Sequence, residues 1–239
     1  MRIAVWSGPR NLSTAMMYAF AARPDCAVWD EPFYAAYLSK TGLSHPLRDE
    51  ILAAGLTDPA AVIARCLGNV PEGKRVFYQK HMAQHMIEGI DRSWIAQCRN
   101  VFLIRDPARV IASYAAKRQN PSLADIGFCQ QAELFDQVCQ RDGRAPPVLD
   151  SVEIRKDPAT QLQKLCSALG LDYTPAMLHW PRGGHRNDGV WARHWYGAVW
   201  NSTGFAKPEG PLPKLPPELQ KVCDAARPYY DRMAAFRLR

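Results

Sequence analysis

The sequence predicts an α/β protein: one domain with a central parallel sheet flanked by helices. Three observations predict it. Short apolar runs alternate with segments of helical period. The helical segments carry capping residues at their ends. The first apolar run passes through a tight loop straight into a helix, the arrangement that presents backbone N–H groups to an anion.

The first strand is expected at 3–6 and its helix at 12–22, within "RIAVWSGPRNLSTAMMYAF". Further strands are expected at 27–30, 76–81, 101–105 and 148–152, each short and rich in apolar residues. Helices are expected at 59–67, 107–117, 127–141 and 158–169. Pro107 and Pro158 each follow an Asp, so a first-turn proline stands beside a capping carboxylate. Gly170 stands where a left-handed residue stops a helix. Residues 181–217, rich in Gly, Pro and Trp, read as an ordered loop or lid within a single domain spanning 1–239.

With 239 residues, 47% of them apolar, the chain can bury a sizeable core. No apolar run approaches transmembrane length, so no membrane partner is expected. The opening run reads as a strand and not as a secretory leader. The seven cysteines include no C-x-x-C pair; they read as reduced thiols of a cytoplasmic protein, and no metal site is expected. The net charge of +7 suits an anionic ligand. The basic residues are dispersed and no nucleic-acid motif is present, which excludes nucleic acid as the expected partner. Oligomeric state is not encoded in any pattern found.

In a parallel sheet, ligands gather at the carboxyl ends of the strands. The residues that follow each strand therefore carry the candidate chemistry. After the first strand, Arg10, Ser13 and Thr14 offer a guanidinium and two hydroxyls at a helix start. Asn11 or Ser13 could equally cap that helix. Counting from Gly8, Ser13 and Thr14 replace the Gly-Lys of an ATP-type loop, G-x-x-x-x-G-K-S/T, which argues against ATP or GTP. After the fourth strand, Arg105 and Ser113 form a second candidate anion site; Arg105 could instead pair with Asp106 or Glu31. Glu31 follows the second strand and His81 the third, and either could act as a general base. His85 reads as a surface residue, and His194 as a structural one among Trp191, Trp195 and Trp200.

These residues resemble the sulfotransferases that use 3′-phosphoadenosine 5′-phosphosulfate. The family's first loop reads P-K/R-S-G-T-T/S; here it is Pro9-Arg10-Asn11-Leu12-Ser13-Thr14. The second motif, R-N/D-P-x-x-V-x-x-S-Y/W, is met by Arg105, Asp106, Pro107, Val110, Ser113 and Tyr114. Gln79-Lys80-His81 stands at the family's Lys-Thr-His, and Gly189, Trp191, His194 and Trp195 meet a late G-x-W-x-x-H-F/W pattern.

The resemblance implies a P-loop-like sulfotransferase architecture and transfer of a sulfuryl group to a hydroxyl or amine of a small acceptor. It assigns the first loop, with Arg10 as a catalytic cation, to the 5′-phosphosulfate. Arg105 and Ser113 take the 3′-phosphate, helped by Arg182-Gly183-Gly184 or by Arg186. His81 is the first choice of base and Glu31 the alternative. The product is adenosine 3′,5′-bisphosphate, and no metal takes part. Leu12 stands at the family's loop glycine; because leucine resists a positive φ, a differently shaped loop is expected. The rival readings are a kinase-like ATP-using enzyme and a nucleotide-binding module without catalysis.

Overall fold

The structure is a computed structural model and describes residues 1–117 and 120–238. The expected domain over 1–239 therefore includes positions 118, 119 and 239, which lie outside the described residues. The apolar runs form β1 (Arg2–Ser7), β2 (Cys26–Asp30), β3 (Val76–Met82), β4 (Arg99–Ile104) and β5 (Val148–Asp150). They pair in one parallel sheet of order β2-β3-β1-β4-β5. Parallel strands need crossover connections, and the helices supply them. These are α1 (Ser13–Ala21), α2 (Tyr34–Thr41), α3 (Arg48–Ala54), α4 (Pro59–Leu67), α5 (Pro107–Ala115) and α6 (Leu123–Ile126). They continue with α7 (Phe128–Asp142), α8 (Ser151–Lys156), α9 (Pro158–Leu169), α10 (Ala192–Trp195), α11 (Gly197–Trp200) and α12 (Pro217–Ala234).

Side chains alternate across the sheet, and each face has its own core. Ile3, Val5, Tyr78 and Leu103 meet α1 and α9 on one face. Ala4, Trp6, Phe102 and Ile104 meet α4, α5, α7 and α12 on the other. The expected caps form: the Asp106 carboxylate accepts from the Ala108 amide at 2.9 Å, and that of Asp157 from the Thr160 amide at 3.0 Å. Gly170 ends α9 at φ 70°.

Several expected boundaries shift by one or two residues, two of them for a capping reason. The fifth strand stops at Asp150 because its carboxylate accepts from the Val152 amide at 3.0 Å and starts α8. The seventh helix starts at Phe128 because Gly127, at φ 68°, separates it from α6. Segment 181–217 contains α10 and α11, and Tyr196 between them plugs into the site at the strand ends. Among the described residues no single helix is long and apolar enough to cross a membrane.

Candidate active site

The loop between β1 and α1 is tightly built. A side chain on Gly8 would collide with the Ile126 carbonyl. The Asn11 amide donates to the Leu103 carbonyl at 3.2 Å, pinning the loop to β4 instead of capping α1. Leu12 stands at the N-cap of α1 with φ 61°, and Arg10 has φ 63°. The expectation of a differently shaped loop is thus corrected: Leu12 adopts the left-handed backbone that glycine takes easily, at a cost of roughly 1–2 kcal/mol. Its apolar side chain packs on the core beside α1, which offsets part of that cost. Among the described residues no side chain caps α1, and Ser13 and Thr14 of its first turn line the cavity.

The two candidate anion motifs meet. Arg10 Nε donates to Ser113 Oγ at 2.9 Å across 103 residues of sequence. Arg105 donates to the Arg10 carbonyl at 2.6 Å, fixing the loop's unusual backbone. Burial, and then the neighbouring Arg105, push the Arg10 pKa down. Arg105 pairs with neither Asp106 nor Glu31. Its partner is Glu209, while Asp106 takes Arg227 at 2.9 Å. Arg155 also reaches Glu209, at 2.8 Å, and Arg109 does so at 3.4 Å.

Beside the loop lies a buried charged cluster. Lys80 Nζ donates to Asp30 Oδ1 at 2.8 Å, to Glu31 Oε1 at 2.6 Å and to the Tyr196 hydroxyl at 2.6 Å. Burial would lower the Lys80 pKa, but Asp30 and Glu31 outweigh it and raise it, so the ammonium persists. One ammonium cannot balance both carboxylates. Burial therefore raises the Glu31 pKa, against the pull of Lys80 and with help from Asp30. Glu31 also has a positive φ of 40°, a strained backbone of the kind that collects at functional sites.

Arg10, Ser13, Thr14, Arg105 and Ser113 line a cavity of about 340 Å³, together with Glu31 and Lys80. A larger depression of about 920 Å³ opens beside Met1, Arg2 and Arg99, at the amino ends of the strands. The smaller one sits where parallel sheets bind ligands. Asn11 and Leu12 also border it, and Pro9 belongs to the same loop without lining it.

His81 does not reach this cavity. It stacks on Trp6 at 4.5 Å on the opposite face of the sheet, and burial pushes its pKa down to about 3. Strand alternation explains this: Lys80 follows Val76 and Tyr78 to the cavity side, and His81 follows Phe77 and Gln79 away from it. Arg182 is exposed outside the cavity wall, and Arg186 pairs with Glu72 at 2.6 Å. His85, expected at the surface, is buried and stacks on Tyr34 at 4.7 Å and Tyr37 at 4.8 Å. His194 packs edge-on against Trp195.

Reading by motif missed Asp30, Lys80, Arg155 and Tyr196 as members of the site. For Lys80 a signal existed in the period-two pattern of β3. For the others the contacts are tertiary.

The carboxyl ends of the parallel sheet gather an arginine-bearing loop, a second basic cluster and a buried acid–lysine cluster, the charge pattern of an α/β protein whose cavity suits an oxyanion. More narrowly, the chain belongs to the sulfotransferase domain family, whose profile, described as "Sulfotransferase domain", matches residues 1–237. Two curated relatives from Arabidopsis thaliana, branched-chain-amino-acid aminotransferase-like proteins 1 and 2, are 36% and 34% identical over 204 and 207 residues. Those matches cover 85% and 87% of this chain but only 36% of each relative, so the chain spans about a third of their length.

Solved structures share the fold at low identity. The sulfotransferase domain from the curacin biosynthetic pathway aligns with TM-score 0.58 and 15% identity, covering 95% of this chain and 97% of that one. The sulfotransferase domain of the Synechococcus PCC 7002 olefin synthase aligns with TM-score 0.52 and 18% identity, covering 94% and 93%. A sulfotransferase from Alicyclobacillus acidocaldarius gives TM-score 0.52 and 14% identity, covering 97% and 94%.

Proposed function

We propose that this sulfotransferase-domain protein moves a sulfuryl group from 3′-phosphoadenosine 5′-phosphosulfate to a hydroxyl or amine of a small acceptor. The observation that carries the reading is the Arg10–Ser113 hydrogen bond, which joins both anion motifs on one cavity that Glu31 also lines. The donor set suits a phosphate: a carboxylate already rests among Arg105, Arg109 and Arg155.

The donor substrate supplies the activated sulfuryl group and a phosphate leaving group. Arg10 and the first-turn N–H groups of α1 stabilise negative charge at the 5′ end. Arg105 and Ser113 hold the 3′-phosphate. Glu31 accepts the acceptor's proton; its raised pKa makes it more basic than a free carboxylate. Lys80 holds the Glu31 side chain in place. Tyr196 and Trp195 wall the cavity and limit water.

Calorimetric titration tests the reading. Adenosine 3′,5′-bisphosphate should bind at least about tenfold more tightly than ATP, with no change on adding a chelator. Tighter, metal-dependent ATP binding would favour the kinase-like reading. Bisphosphate binding without sulfuryl transfer across an alcohol, phenol and amine panel would favour a binding module.

A further inference from the structure

The Glu209 carboxylate is held as an anionic ligand would be. It lies in the coil at 205–216, yet its side chain is only 7% exposed. Arg105, Arg109 and Arg155 converge on it from two elements and a strand end. The coil is fastened to the same arginines by its backbone: Arg155 Nε donates to the Lys207 carbonyl at 2.8 Å, and Arg109 to the Gly210 carbonyl. Burial lowers the Arg155 pKa; Glu209 opposes that effect, and Arg105 and Arg109 reinforce it, so these cations feel one another.

The fit is incomplete. Arg105 Nε and Glu209 Oε2 are both buried, and among the described residues neither has a hydrogen-bond partner. A carboxylate has two oxygens. A phosphate monoester has three, carries more charge, and can satisfy a donor that Glu209 leaves idle.

We propose that Glu209 is an internal stand-in for the 3′-phosphate: it occupies the Arg105–Arg109–Arg155 cluster in the free protein and is displaced when the nucleotide binds. Arg109 and Arg155 then become phosphate ligands beside Arg105. The coil at 205–216 is released from, or re-seated on, the arginines at that moment. This rests on the donor assigned under the proposed function. Its consequence is a weaker apparent affinity for the bisphosphate than the bare arginine cluster would provide, with the penalty confined to ligands bearing a 3′-phosphate.

Calorimetry on the full chain with Glu209→Gln, which keeps the side-chain volume and removes the charge, provides the test. Adenosine 3′,5′-bisphosphate should bind about tenfold or more tightly than to the unaltered protein. Adenosine 5′-phosphosulfate, which lacks the 3′-phosphate, should change by no more than ~2-fold. Glu209→Ala, which removes any residual amide hydrogen bond, should give the same pattern. Unchanged or weaker bisphosphate binding in both variants would overturn the proposal and make Glu209 a positioning residue for the arginines. Equal tightening of both ligands would overturn it too, since it would reflect general field strength. If neither the unaltered protein nor the variants bind the bisphosphate, the donor assignment itself falls, and the proposal with it.

Discussion

Lys80 and His81 are adjacent in β3 and lie on opposite faces of the sheet, Lys80 at the cavity and His81 stacked on Trp6. The consequence for catalysis is direct. A base must reach the proton it removes, and only Glu31 of the two candidates lines the cavity.

Glu31→Gln should lower kcat by about 10²–10⁴ while bisphosphate Kd stays within a few-fold. The rate should also fall on acidification, because protonated Glu31 cannot accept a proton. That acid limb should lie above the ordinary 4.5 of a glutamate, since burial raises its pKa. His81→Phe, which keeps a ring on Trp6, should retain activity within a few-fold per folded molecule. A normally folded but inactive His81→Phe enzyme would return the base to histidine.

Arg105→Ala should weaken adenosine 3′,5′-bisphosphate by roughly 1.5–3 kcal/mol, the usual size of a charge-assisted hydrogen bond. Adenosine 5′-phosphosulfate should lose less. Some shared loss is expected, because Arg105 also holds the Arg10 carbonyl at 2.6 Å. Equal losses for both ligands would show that Arg105 only braces the loop.

Leu12 sits at φ 61°. Leu12→Val puts a β-branched side chain in that backbone and should destabilise the protein by roughly 1–3 kcal/mol in urea unfolding. Leu12→Gly relieves the strain but frees the unfolded chain, so its stability should stay within about 1 kcal/mol. A Leu12→Val protein as stable as its parent would mean that the loop does not hold the left-handed conformation.

Stability should fall in mild acid. His81 and His85 are buried neutral, with folded-state pKa values pushed down by burial, His81 to about 3. Between that value and the unfolded 6.5, the unfolded chain binds more protons, so stability is full above pH 6.5 and declines as pH drops through this window. Each histidine contributes a slope of up to about 1.4 kcal/mol per pH unit. Melting temperature measured from pH 8 to pH 5 checks this, and His81→Phe should flatten the decline.

Much was legible in the sequence. Apolar runs and capped helices located the five strands and five of the helices, because period, Pro and Gly act locally. Motif spacing found the loop and the Arg105–Ser113 pair. Several helices lay beyond this reach. In α2 the run "FYAAYL" follows a strand with no capping side chain, and α12 contains Pro228.

What the sequence by itself determined is the sheet, its direction and the strand ends that carry the candidate site, since each follows from short-range patterns. Only the tertiary structure decided which titratable groups share the cavity. The alternation of β3 puts Lys80 and His81 on opposite faces, and the packing of the loops and helices decided that the cavity lies on the Lys80 face. The return of the chain after α11 brought Glu209 to arginines about 50 and 100 positions away, at 155 and 105, while Arg186 pairs with Glu72 instead. Contacts of such sequence separation depend on how the helices pack, and no local pattern records them.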